Sequence, residues 1–358
     1  MVDRSTHLWR YTSPDLFEAG DVAPASAPTF HLSPSAAARG VRVLPLHECR
    51  EAQDVLGRAV PAEHGPFEAR NLAGWSRGLA VRVPRGVVLD EPVRLVHPAT
   101  AGALPRTVVL AGEGAEVAIL ERHVGGGPGV VVIAVAELFA APGARITHAL
   151  AADWEPGTRA HLTSRLVLDR DASGHTALVA AGGDVVKVDA GTVLAGPGAH
   201  SEIVSLVRAD GTRHVDVHTL HEHRAGRTRS NVIAKAALAG RSRSVYTGLI
   251  RIDPGARGAE AYQENRNLML SDTARADTIP ELEILNDEVQ CTHGATVSPV
   301  DAAARFYLES RGLSPRQAEQ VLVDGFHADA LEHVPSPVRA DLVRLLAAGP
   351  ALARQEAA

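Results

Sequence analysis

The 358-residue sequence is short of cysteine, lysine and aromatic side chains, and each shortage excludes something. Its two cysteines, Cys49 and Cys291, are too few for a disulfide scaffold or for a self-contained four-thiolate metal site. The expected setting is a cytosolic chain with reduced thiols. Its only lysines are Lys187 and Lys235, and neither is followed by Ser or Thr. The G-x-x-x-x-G-K-[ST] phosphate loop is therefore missing, and ATP hydrolysis by that route with it. With three Trp, four Tyr and six Phe, the core must be filled by aliphatic residues. A formal charge of -6, with arginines scattered along the chain, argues against nucleic acid as a partner. No apolar run approaches the roughly 20 residues that span a bilayer. The start, MVDRSTHLWRYTSPD, has neither the apolar segment nor the cleavage site of a leader, so the expectation is a cytoplasmic protein that is not exported and does not engage a membrane.

Three textures follow one another. Residues 1–78 mix Pro, Ser and Ala, with one amphipathic stretch (Leu46, Cys49, Val55, Leu56) whose spacing suits a helix with Cys49 on its buried face. Residues 79–300 hold short aliphatic runs such as VVLA, VAIL, VVVIAVAELFA, LVLD and VVKV, divided by small polar turns. The turns recur with one small residue at each corner, at Ala115, Ala144, Ala172, Ala199 and Ala256, the last interval being about two steps long. After Ala256 the spacing tightens, with DTARAD following closely. An imperfect period of this size predicts a right-handed parallel β-helix whose coils bury their faces against each other. A β-sandwich is the rival, since it too has many short strands.

Residues 301–358 read as a small helical domain. Phe306, Tyr307 and Leu308 fall on a helix that stops at Gly312. Ser314-Pro315 with Gln317 predicts a capping box for a second helix that buries Ala318, Val321 and Leu322 and ends at Gly325. Ser336-Pro337 opens a third, with Leu342, Val343, Leu345 and Leu346 before Gly349.

Four stretches carry candidate chemistry. Gly125–Gly129 (GGGPG) precedes a strand and reads as a turn, not as a phosphate cradle. Gly74-Trp75-Ser76-Arg77-Gly78 matches G-x-S-x-G, but a nucleophile elbow needs a strand before the serine and a helix after it, and here a strand follows. His214, His218, His221 and His223 are the densest histidine cluster. His221 and His223 share a face of a strand, and His214, His218 and His221 share a face of a helix. Either set offers imidazoles to a metal, against the plainer reading of a solvated or partner-facing strand. In ELEILNDEVQCTHGATVSPVD, strand alternation puts Cys291 and His293 on one face, about 7 Å apart. Iron–sulfur clusters take Cys and sometimes His ligands but usually want about four, so this is half a site that a second protein must complete.

The stretch from Tyr246 to Phe326, above all QENRNLMLSDTARADTIPELEILNDEVQCTHGATVSPVD followed by FYLESRGLS and GF, resembles the SufB/SufD family of the SUF iron–sulfur cluster assembly system. FEARNLAGWSRGLAVRVPRGVVLDEPVRL, ILERHVGG and LWRYTSPD extend the likeness more weakly to most of the chain. The small cysteine count and short chain make it look more like SufD than SufB. The resemblance implies a right-handed β-helix with a C-terminal helical domain. It also implies a non-catalytic scaffold subunit that pairs with a SufB-like paralogue through the β-helix end and docks a SufC-like ABC-type ATPase on its helices. The N-terminal region looks abbreviated beside the family's, and the isolated chain has the option of a homodimer. Cys291 and His293 match the family's C-[ST]-H-G-A-T segment as candidate ligands of a transient cluster at the paralogue interface, with no cofactor held stably by the chain alone. Phe306, Tyr307, Arg311, Gly312 and Phe326 are the candidate ATPase-docking residues. For Cys291 and His293 a purely interfacial role stands beside the ligand role, and for Phe306 and Tyr307 a core role stands beside docking. Two other classes, a β-helical carbohydrate-active enzyme and a histidine-based metal hydrolase, compete with the scaffold.

Overall fold

The computed structural model describes residues 8–18 and 26–352. Eighteen strands form two nine-stranded sheets, and from β3 onward successive strands alternate between them. One sheet is ordered β1-β4-β6-β8-β10-β12-β14-β16-β18. Its strands are β1 (Thr29–His31), β4 (Val93–Ala99), β6 (Glu116–Gly126), β8 (Arg145–Glu155), β10 (Ser173–Ala180), β12 (His200–Ala209), β14 (Arg229–Leu238), β16 (Glu260–Met269) and β18 (Gln290–Pro299). The other is ordered β17-β15-β13-β11-β9-β7-β5-β3-β2. It comprises β2 (Arg42–Pro45), β3 (Leu79–Val83), β5 (Arg106–Ala111), β7 (Val131–Ala140), β9 (Arg159–Leu168), β11 (Val185–Leu194), β13 (His214–His223), β15 (Arg243–Ile252) and β17 (Arg275–Ile284). Every pairing is parallel except β1 on β4 and β2 on β3. The result is a parallel β-solenoid of about eight two-strand coils, and the sandwich alternative falls with the parallel register.

Small residues at one corner make the stacking close. The residues before β6, β8, β10, β12, β14 and β16 are Ala115, Ala144, Ala172, Ala199, Thr228 and Ala259, and all six are fully buried. The corner expected at Ala256 is thus three residues later, with Thr228 at the intermediate step. The apparent tightening at DTARAD has a different cause. Ala274 precedes β17 and stands in register with Ser242, so it belongs to the opposite corner of the coil. Between the sheets the lumen is packed with Val, Ile, Leu and Ala, as few aromatics require.

The N-terminal segments lie against the solenoid as short pieces. Helices α1 (Pro34–Ala38), α2 (Arg50–Gln53) and α3 (Pro66–Gly74) are joined by turns. The single helix expected through Leu46, Cys49, Val55 and Leu56 is broken, because Cys49 is extended (φ -105°, ψ 96°) between a 3-10 turn and α2. The four residues still share one apolar cluster, and Cys49 is buried. Leu79 opens β3 five residues after α3 ends at Gly74, so G-x-S-x-G runs from helix to strand, the wrong order for an elbow. Gly125, Gly126, Gly127 and Gly129 all have positive φ and form the turn into β7.

At the other end come α4 (Ala302–Ser310), α5 (Pro315–Glu332) and α6 (Ser336–Leu352). The capping box at Ser314 is present, the Ser314 hydroxyl accepting from the Gln317 amide and the Gln317 side chain accepting from Ser314 N–H. Helix α5 runs through Gly325 to Glu332, and α6 runs through Gly349. A glycine costs about 1 kcal/mol in a helix interior. In α5 that cost is offset by burial of Val323, His327 and Ala330 on both sides of Gly325. The buried face is therefore Ala318, Val323, His327 and Ala330, while Val321 is 47% exposed. Ala330, Leu342 and Leu346 pack on the outer face of the first sheet, against Ala118, Leu120, Val179 and Leu206. No helix among the described residues is long and apolar enough to cross a membrane.

Candidate functional site

The terminal coil differs from every coil before it. Strands β17 and β18 are the outermost of their sheets, and among the described residues no further coil lies over them. In register, Leu282 and Ile284 follow Ile250 and Ile252. The earlier pair is fully buried, whereas Leu282 is 37% and Ile284 41% exposed. Val297 on β18 is likewise 48% exposed. An apolar rim is thus open to solvent where the stack ends.

Cys291 and His293 sit on this rim. They stand in register with Ala261 and Gln263, whose side chains are buried, and so belong to the inward-facing row of β18. Cys291 is half-buried beside Ile250, Ile252, Ala256 and Ala259, and that burial pushes its thiol pKa up. A thiol held protonated is a poor ligand until a cation or a cationic neighbour favours the thiolate. His293 is exposed. The strand therefore brings the two predicted donors to one face, with the imidazole reachable from outside and the thiol at the base.

The docking candidates divide. Helix α4 has no buried residue, and Phe306 is 72% and Tyr307 57% exposed. The Arg311 guanidinium lies 5.2 Å from the Tyr307 ring centroid, and Gly312 takes the positive φ that ends the helix. Phe326 is elsewhere, half-buried on α5 with its ring over the Lys235 ammonium.

The four histidines of β13 are split by the sheet. His214 and His218 face outward, 2.7 Å from the Thr12 hydroxyl and 2.9 Å from the Asp216 carboxylate. His221 and His223 face the lumen. His221 Nε2 lies 2.9 Å from the Ser201 hydroxyl. His223 Nδ1 and Nε2 lie 2.7 and 2.8 Å from the Thr228 and Ser230 hydroxyls. Burial pushes the pKa of His221 well down and that of His223 down to about 4, so both are neutral core side chains. Among the described residues no three His, Cys, Asp or Glu side chains are placed to hold a metal ion.

One polar group inside the lumen is not announced by any motif in the sequence. Glu121 is buried, and its carboxylate accepts from the Thr107 hydroxyl at 2.9 Å. His148, His123 and His97 approach it with Nε2 at 3.0, 3.2 and 3.4 Å. Burial raises its pKa, but the bonds from His123 and His148 and the nearby imidazoles outweigh that and hold it well below the usual carboxylate range. Four polar neighbours satisfy a carboxylate's lone pairs, which is what a buried anion requires. The only signal in the sequence was His97 and His123 standing one coil apart, where they stack with ring centroids at 5.1 Å.

A family model described as SUF system FeS cluster assembly, SufBD core domain, matches residues 94–326. The chain belongs to the SufBD family. Relatives carrying the name iron-sulfur cluster assembly SufBD family protein are similar over much of their length. One from Mycobacterium tuberculosis is 31% identical over 281 residues, covering 75% of this chain and 70% of that protein. One from Mycobacterium leprae is 34% identical over 210 residues, 56% of this chain and 53% of the relative. One from Synechocystis is 29% identical over 307 residues, 82% of this chain and 64% of the relative. The chain spans about half to two thirds of the length of the latter two. The SufBD core match covers β4 to β18 and reaches Phe326 in α5, so it contains Cys291, His293 and the exposed α4.

Proposed function

We propose that this SufBD chain is a SufD-like, non-catalytic scaffold subunit of SUF iron–sulfur cluster assembly. It pairs with a SufB-like paralogue through its terminal coil and docks a SufC-like ATPase on its helical region. The observation that carries the pairing is the open coil, where two ten-residue strands end the sheets with free edges and uncovered Leu282, Ile284 and Val297. Free strand edges are templates for another chain, and exposed apolar rims mark contacts. The two edges are not equivalent. β17 carries Arg275, Asp277, Pro280, Glu281 and Glu283, the residue types that discourage strand addition, whereas β18 (QCTHGATVSP) has no Asp, Glu, Lys or Arg. β18 is therefore the pairing edge in this reading, and two copies of the chain alone meet there as a homodimer.

Pairing at β18 sets the inward row of that strand against the partner, with the cluster as cargo. His293 supplies an imidazole donor, Cys291 a thiol that must lose its proton, and the partner the remaining ligands. Docking of the ATPase falls to Phe306, Tyr307, Arg311 and Gly312, since aromatic and Arg side chains dominate interface energetics. Phe326 is engaged with Lys235 and joins only if that contact opens. The scaffold reading is supported by the missing phosphate loop, which leaves nucleotide turnover to the partner.

Reconstituted complexes test each part. His293→Ala is expected to leave the complex intact and slow cluster formation, and assembly at the wild-type rate sinks the ligand role. A Phe306→Ala, Tyr307→Ala double variant is expected to lose the ATPase on co-purification while keeping the paralogue. Retention of the ATPase by that variant removes α4 from the docking surface.

A further inference from the structure

Lysine is rarely buried, because its ammonium is strongly hydrated. Yet both lysines of this chain are buried, Lys187 completely and Lys235 with 4% exposure. Each points outward from the solenoid, one from each sheet, and each is covered by a segment that is not part of the coils. Lys187 on β11 lies under the N-terminal segment, with its ammonium 5.1 Å from the Trp9 ring centroid and 2.9 Å from Asp216 Oδ2. The Thr12 hydroxyl of the same segment donates to that carboxylate. Lys235 on β14 lies under α5. Its ammonium is 4.9 Å from the Phe326 ring centroid, donates to the Phe326 carbonyl at 2.8 Å, and pairs with the Asp329 carboxylate. Each lysine thus meets an aromatic face and a carboxylate, but the carboxylate belongs to the solenoid at Lys187 and to the covering helix at Lys235.

The two grips differ in their access to water. Asp216 stands in register with Lys187 on the neighbouring strand β13, is fully buried and is also approached by His218, so Lys187 keeps its partner inside the sheet and the N-terminal segment adds only the Trp9 ring and the Thr12 hydroxyl. Asp329 is 65% exposed and stays hydrated whether or not Lys235 is bound. Flanking contacts hold the ends of the helical layer, with Arg208 donating to Gln320 and to the Leu346 carbonyl, and His333 bonding Glu202. An opening at Lys235 is therefore local to the turn from Phe326 to Ala330.

We propose that Lys235 is a latch that holds α5 to the solenoid and is releasable without unfolding, whereas Lys187, whose carboxylate lies in its own sheet, is a fixed pair that the N-terminal segment covers. Release uncovers the Lys235 ammonium on β14 and frees the Phe326 ring, enlarging the exposed aromatic surface of the helical region. The inference concerns this chain alone and stands whether or not a partner docks there.

Acylation of the native chain with an amine-reactive acetyl ester, read by peptide mass spectrometry, tests it. Lys187, completely buried and paired within its sheet, is expected to react more slowly than Lys235. Asp329→Asn is expected to raise the Lys235 rate about tenfold, the loss of one charge-assisted bond, and to leave Lys187 unchanged. Hydrogen exchange is expected to quicken in the same variant at the amides from Phe326 to Ala330. Equal rates at the two lysines in both proteins would overturn the proposal, as would a Lys235 that reacts like a lysine in the urea-unfolded chain. So would an Asp329→Asn variant with unchanged Lys235 labelling and unchanged exchange.

Discussion

The two ends of the solenoid solve the same problem in opposite ways. An open sheet ends in strands with unpaired N–H and C=O groups. At the N-terminal end the last strands are β1 and β2, only three and four residues long, laid antiparallel on β4 and β3. Short reversed strands interrupt the parallel register and offer little edge for another chain. At the C-terminal end β17 and β18 keep the full ten residues in parallel register with the coil before them. One end stops the stack with short reversed strands and the other leaves it open. Within the open end, only β18 lacks the charged residues that guard β17, and it is the strand that bears Cys291 and His293.

If the proposed pairing holds, stability resides at the closed end and association at the open one, and four measurements can break that division. The largest effect is expected for Glu137→Ala. Glu137 is fully buried, pairs with Arg106, and accepts from the amides of Gly57, Ala59 and Val60. Leaving Arg106 unpaired in the interior costs about 3–5 kcal/mol, read as a drop in the urea midpoint. Leu95→Ala, at a fully buried site of the closed half, is next at about 3 kcal/mol, while Leu282→Ala on the open rim should cost under about 1 kcal/mol. Equal costs would mean that the rim is covered in the isolated chain.

The third measurement is acid sensitivity. Glu68 on α3 is buried, which raises its pKa, but the bonds from His161 and Thr163 and the imidazole charges outweigh this and lower it to about 2. A depressed carboxylate stabilises the fold above its unfolded value of 4.5, and that contribution is lost as pH falls toward 2. Acid exchange should therefore loosen the N-terminal cover before the terminal coil, and Glu68→Gln should flatten the pH dependence of stability in that window. The smallest effect on stability, within about 0.5 kcal/mol, is expected for Val297→Asp on β18. The same variant should abolish pairing with the paralogue in size-exclusion chromatography, and a complex of unchanged size would remove β18 from the interface.

Much of this architecture was legible in the residues, and the failures have physical reasons. The corner period was visible because only small side chains fit where coils touch, and Ala115, Ala144, Ala172 and Ala199 are the stacked corners. The period is masked after Ala199 because Thr228 fills a corner without being Ala, and because DTARAD lies on the opposite corner. Gly325 read as a stop, since local propensity disfavours glycine in helices, but burial of the flanking α5 residues outweighs a cost of about 1 kcal/mol. Phe326 is expected to be a docking residue, and nothing local announces that Lys235, ninety-one residues earlier in the chain, takes its ring.

What the sequence determined by itself is the repeat, the strand alternation that puts Cys291 and His293 on one face, and the capped helices that follow. These are properties of neighbouring residues, carried by backbone geometry and side-chain size. Only the tertiary structure decided which end is closed and which edge is free, that both lysines are sealed under appendages, and that Glu121 shares the lumen with three histidines. Burial and charge pairing depend on residues one coil away or on the far side of a sheet, and the local pattern does not specify those distances.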